Sequence, residues 1–157
     1  MTLIPILLTF LLATGLLPGQ QEILGPVTRD EIVAKCPEWQ AVAAAYAPAP
    51  EAVERLRAVS REVLVEVFLG SWCDDSESHV SEFLKVLEVV DNPLIRAEYI
   101  GIPEDKAKRP PYYRGKDIVK IPTFIVLIDG AEKGRIIEAP VKTVEDDLLA
   151  IIEKSTR

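Results

Sequence analysis

The stretch "EVLVEVFLGSWCDDSESHVSEFLKVLEVV" (residues 62–90) decides the fold. Residues 62–70 are β-branched, aromatic and nearly all apolar. Such a run reads as a central strand buried on both faces, with Glu66 as the one charge inside it. After Ser76 the period changes. Val80, Phe83, Leu84, Leu87 and Val90 recur at spacings of three and four, the apolar stripe of a helix that ends at "DNP", residues 91–93. Between strand and helix lies "GSWCDDS", residues 70–76, which places Cys73 at the helix start.

Downstream, "IRAEYIGI" (95–102) reads as a second strand and "PEDKAKRPPYYRGKD" (103–117) as a polar, proline-broken loop. "TFIVLID" (123–129) is a third strand. Asp129-Gly130 opens a turn into "KGRIIEAP" (133–140), a fourth strand paired with the third as a hairpin. "TVEDDLLAIIEK" (143–154) closes the chain as a helix capped by Thr143, with Val144, Leu148, Ile151 and Ile152 inward. The strand–helix–strand unit is expected to be parallel and right-handed. Upstream, "TRDE" (28–31) is a capping box that opens a short helix ending near Cys36-Pro37. Pro37 is read as starting "PEWQAVAAAYA", "PAP" (48–50) stops it, and "EAVERLRAVS" (51–60) is a third amphipathic segment.

A buried strand running into "SWCDDS" at a helix start, then "KIPTF" (120–124) ahead of a hairpin and a last helix, resembles the thioredoxin-like superfamily. The resemblance covers roughly residues 63–154. It implies an α/β fold with a central four-stranded mixed sheet flanked by helices. Residues 62–157 would form that domain, residues 20–61 an N-terminal helical extension. In the family a Trp-Cys-x-x-Cys motif faces a cis proline. Trp72 and Cys73 match its first half, and Ile121-Pro122-Thr123 matches the proline segment. The second cysteine of the motif is Ser76 here, and the buried acid six residues before the first cysteine is Val67. Glu66, the neighbour, points to the opposite sheet face and is expected to pair with a Lys or Arg under the helix layer.

What the resemblance implies for chemistry is monothiol thiol–disulfide exchange, with Cys73 as nucleophile. A cysteine at a helix N-terminus meets unpaired amides and the positive end of the helix dipole, which favour the attacking anion; Asp74 and Asp75 act against it. Ser76 is expected to donate its hydroxyl to that sulfur. Trp72, Ile121 and Pro122 would form the substrate-binding side, with the Ile121 backbone offered to a bound peptide. Exchange without a second motif thiol suits isomerisation or deglutathionylation better than net reduction. Cys36 is either a resolving thiol that pairs with Cys73 or a free, half-buried small residue. Tyr112 and Tyr113 either line the groove or pack the loop. The alternative function is a non-catalytic thioredoxin-fold module that binds a peptide or partner protein.

Composition narrows the partners. The chain of 157 residues carries a formal net charge of −7 and no long basic run, which speaks against nucleic acid. Its two cysteines cannot form a disulfide scaffold, and its one histidine, His79, lies six residues from Cys73 on another helix face. No metal and no cofactor is expected, and a monomer is. The expected partners are protein or small-molecule thiols and disulfides. Residues 2–18 hold no charge and read as a secretory signal within residues 1–19, or as an uncleaved membrane anchor of an assembly factor. The protein is therefore expected to be exported, periplasmic or secreted. A cleaved signal predicts a mature N-terminus near residue 20 by intact-mass measurement; a full-length chain in the membrane fraction would mean an anchor instead.

Overall fold

A computed structural model describes residues 22–155, so the expected signal or anchor lies outside the described residues. The N-terminal part begins with a short strand, β1 (Gly25–Val27), followed by α1 (Arg29–Lys35), α2 (Trp39–Ala45) and α3 (Pro50–Arg57). The box at Thr28 is formed: its Oγ1 accepts from the Glu31 amide at 3.2 Å, and the Glu31 carboxylate accepts from the Thr28 amide at 2.8 Å. α2 begins two residues after Pro37, which lies in the preceding turn. Then come β2 (Val63–Leu69), α4 (Asp74–Val90), β3 (Ile95–Gly101), β4 (Thr123–Ile128), β5 (Ala131–Ile137) and α5 (Val144–Lys154). Thr143 Oγ1 caps α5 by accepting from the Asp146 amide at 3.2 Å.

The sheet has five strands in the order β1-β3-β2-β4-β5, not four. β2 and β3 are parallel, and every other pairing is antiparallel. The additional strand, β1, pairs with β3 from Gly25↔Gly101 to Val27↔Tyr99, so residues 20–61 are not purely helical. Nothing local marks "GPV" as a strand: it is too short for alternation, and its proline is tolerated only because the strand lies at the sheet edge. Tertiary contacts hold it. Ile23 is fully buried and donates its amide to Ser71 Oγ at 3.1 Å. Its carbonyl rests on Gly101, where an added Cβ would lie 2.2 Å from the oxygen.

The two sheet faces are covered differently. Val63, Val65, Val67 and Leu69 of β2, with Phe124, Val126 and Ile128 of β4, share one core with residues of all five helices. There the Phe83 and Phe124 rings meet edge to face at 5.2 Å between centroids. The other face, carrying Phe68, Ile100 and Ile125, is covered by Ile102, Ile118 and Ile121 of the segment after β3, with Tyr112 and Tyr113 packed on them. The helices thus flank one face, and the long loop serves as the second layer.

That loop is pinned as well as packed. Lys116 Nζ lies 2.8 Å from Glu66 Oε2, as an ion contact without hydrogen-bond alignment. The partner expected beneath the helices therefore comes from the loop. The Arg135 guanidinium donates to the Asp117 carbonyl at 2.8 Å, which ties the loop to β5.

Two further clamps fasten the helical side. Buried Glu145 accepts from the Tyr46 hydroxyl at 2.7 Å and the Ala49 amide at 2.8 Å, joining the α2–α3 connection to α5. Burial, then this contact, pushes the Tyr46 hydroxyl well above its ordinary value. Asn92 donates to the Leu56 and Val59 carbonyls at 3.1 and 2.8 Å and so fastens α3 to the end of α4. Among the described residues no helix is long and apolar enough to cross a membrane.

The Ile23–Gly101 contact gives a stability test. Gly101→Ala forces a methyl group into the Ile23 backbone, and such overpacking costs about 2 kcal/mol. The denaturation midpoint should fall accordingly; an unchanged midpoint would show that β1 does not depend on this approach.

Candidate functional site

The site grows from the end of β2. Gly70 follows it with no room for a side chain: an added Cβ would lie 2.7 Å from Trp72 Cε2 and 2.9 Å from Ile121 Cδ1. The missing methyl lets the indole fold back over the strand end. The Trp72 Nε1–H then donates to the Ile102 carbonyl at 2.9 Å, across to the segment that leaves β3. The Cys73 amide closes a tight turn on the Gly70 carbonyl at 3.1 Å.

Cys73 is the N-cap of α4, in extended conformation (φ −108°, ψ 120°). Its side chain does not cap the helix; the thiol donates instead to the Ile121 carbonyl, with Sγ 3.7 Å from the oxygen. Cys73 is partly exposed, and Asp74 and Asp75 beside it are exposed. In the first turn these carboxylates suit the helix dipole.

The Ile121–Pro122 bond is cis. The Pro122 carbonyl accepts from the Glu138 amide at 2.7 Å, while the Ile121 carbonyl faces the sulfur. Trp72, Cys73, Ile121 and Pro122 thus meet at one corner, as their sequence pattern anticipates.

Ser76 differs from expectation. It is fully buried, and its Oγ accepts from the Gly70 amide at 3.1 Å. Its hydroxyl oxygen fastens the turn that carries Cys73. The geometry follows from one helical turn: three residues beyond the N-cap, the side chain points back under the strand end.

Cys36 is a free thiol, 1% exposed, in the helix-side core. Cys73 packs against the cluster on the other sheet face. Burial first, then the charges of Glu38 and Glu77, push the Cys36 thiol up to about 11. As placed it is a buried small residue and not a ready resolving thiol. His79 Nδ1 contacts Glu82 Oε2 at 2.9 Å, one turn along the helix and turned to that acid. Tyr112 and Tyr113 pack on the same cluster as Trp72 and Cys73, which agrees with the loop-packing reading.

One side chain of the corner was not anticipated from the sequence. Arg109, in the loop, stacks on the Trp72 ring with Cζ 4.9 Å from the centroid. It is placed by the fold of a proline-rich loop, and a lone arginine in "AKRPP" carries no local signal of that contact. Among the described residues no group of three or more His, Cys, Asp or Glu side chains is placed to hold a metal ion.

No family profile and no curated protein matches the chain. Two solved structures resemble it in fold. One is a protein of unknown function from Pseudomonas aeruginosa, with TM-score 0.58, 18% identity, and coverage of 76% of this chain and 82% of that one. The other is an HIV epitope scaffold, with TM-score 0.59, 19% identity and the same 76% and 82% coverage. At these identities the likeness concerns the fold alone.

The two thiols should separate by accessibility. Native protein at pH 8 should take one alkylating group per chain, on Cys73, and a second on Cys36 only after unfolding. The raised Cys36 value adds a pH dependence. Its contribution to stability is fully present below the ordinary value of 9.0 and is lost as pH rises through about 11. Between those pH values the wild type should lose more stability than Cys36→Ala; equal losses would exclude the buried thiol as the cause.

Proposed function

We propose that this chain is an exported thioredoxin-like protein that carries out monothiol thiol–disulfide exchange through Cys73. The observation that supports it best is the corner itself. A partly exposed sulfur stands at the start of α4, 3.7 Å from the Ile121 carbonyl, and the residue one turn on is Ser76 and not a thiol. Export rests on the uncharged residues 2–18.

The step balances without any further oxidant. Cys73 loses its proton to solvent, and the anion attacks one sulfur of a substrate disulfide. A Cys73–substrate disulfide forms, the old S–S bond breaks, and the departing thiolate takes up a proton. Once the thiol no longer donates to it, the Ile121 carbonyl is free to accept an amide of the bound substrate, as a strand edge does. A thiol of the substrate or of a small molecule then attacks the mixed disulfide and restores Cys73. Disulfide count is conserved, which suits isomerisation or deglutathionylation. Ser76 acts here as a structural staple through the Gly70 amide.

Incubation with a disulfide substrate, acid quenching and mass spectrometry test the proposal. The wild type should accumulate a mixed disulfide on Cys73. Ser76→Ala should still form it, and Cys73→Ala should form none. If wild-type Cys73 forms no adduct with either protein or small-molecule disulfides, exchange is excluded and a partner-binding groove is the function left.

A further inference from the structure

Arg109 departs from every other arginine among the described residues. Each of the others faces a carboxylate within 4 Å. Arg109 has no such partner, yet it is not loose. Its Nε–H donates to the Pro103 carbonyl at 2.9 Å and its Nη2–H to the Glu104 carbonyl at 2.8 Å. Its Cζ lies over the Trp72 indole, 4.9 Å from the ring centroid, and that indole is itself held by the Ile102 carbonyl at 2.9 Å. Three successive carbonyls, 102–104, thus fix the indole beside Cys73 and the cation stacked on it. The acid nearest in sequence on the loop side, Asp105, is engaged first by the Ala107 amide at 3.0 Å and by Lys108 at 3.3 Å, and feels the Arg109 charge only as a weaker, longer-range attraction.

A guanidinium has five N–H donors, and the two backbone contacts use two of them. The N–H groups that remain lie on Nη1 and Nη2, the end of the fork that suits a planar, two-oxygen acceptor. The side chain is already ordered, so binding would cost little further rotamer entropy. The surroundings are otherwise hostile to anions: the chain carries a net −7, and Asp74 and Asp75 stand exposed next to the sulfur.

We infer that Arg109 is a carboxylate-binding, specificity-determining residue of the Cys73 site, selecting thiol or disulfide substrates that carry a carboxylate near the reacting sulfur. This rests on the exchange reading above. Arg109 offsets the repulsion from the neighbouring aspartates for such substrates and leaves neutral ones unaffected.

Paired probes that differ only in charge test it. Cys73 alkylation by iodoacetate and by iodoacetamide, located by peptide mapping, compares an anion with its neutral analogue. In Arg109→Gln the iodoacetate rate should fall about fivefold relative to wild type, from the loss of one fixed charge. The iodoacetamide rate should not change, and Arg109→Lys should recover part of the ratio. High salt should shrink the wild-type advantage. An unchanged ratio in Arg109→Gln, or an equal change in both rates, would overturn the inference; the second result would reduce Arg109 to a support for Trp72.

A second pair, 3,3′-dithiodipropionate and bis(2-hydroxyethyl) disulfide, separates this inference from the one beneath it. A mixed disulfide formed faster with the dicarboxylate in wild type, but not in Arg109→Gln, supports both. Charge selection in alkylation with no mixed disulfide from either reagent would overturn the exchange reading while leaving Arg109 as a carboxylate site.

Discussion

The hydrogen bond from the Trp72 indole to the Ile102 carbonyl is the contact on which the site depends. It joins the turn leaving β2 to the segment leaving β3, the two parallel strands whose ends form the corner. It forms only because Gly70 has no Cβ to meet the indole and Ile121. The indole so fixed borders Cys73 and supplies the ring on which Arg109 rests. A buried N–H without an acceptor costs about 1–3 kcal/mol, so this bond holds the loop and the turn in one arrangement. Ser76 completes it from beneath by accepting from the Gly70 amide.

The second consequence concerns the sheet. Its helices crowd one face, and the other is closed by residues 102–122. A loop that replaces a structural layer cannot be a free surface strand. It supplies Ile118 and Ile121 to a core, Lys116 to Glu66, and a main-chain carbonyl to Arg135. Side chains on such a loop are held nearly as firmly as those on a helix. This is why Arg109 and Tyr112, polar loop residues by composition, take fixed places, the first over Trp72 and the second on the apolar cluster beneath the loop.

Much of this was legible in the residues. The apolar run at 62–70, the 3–4 spacing after Ser76 and the capping residues Thr28 and Thr143 each express a local preference that the fold obeys. The meeting of "SWC" and "IPT" comes from the resemblance and not from any local preference; both segments flank strands adjacent in the sheet. What escaped was set by tertiary contact. β1 is three residues without alternation, held by Ser71 and Gly101. The helix-free face reads like any buried face, since periodicity reports burial and not what provides it. Ser76 could be foreseen near Cys73, but not the long reach of its oxygen back to the Gly70 amide. Arg109 shows no pattern at all, because its contacts are two backbone carbonyls and a ring brought together by the loop.

The central claim is that Cys73 works as a single thiol, resolved from outside the chain. Its redox state in protein taken from its own compartment, acid-quenched and mapped by mass spectrometry, tests this most directly. A fraction of Cys73 joined to a foreign thiol, with Cys36 free, is the predicted result. An intramolecular Cys36–Cys73 disulfide would contradict it, since that bond requires the buried helix-side thiol to leave its core and serve as the resolving partner.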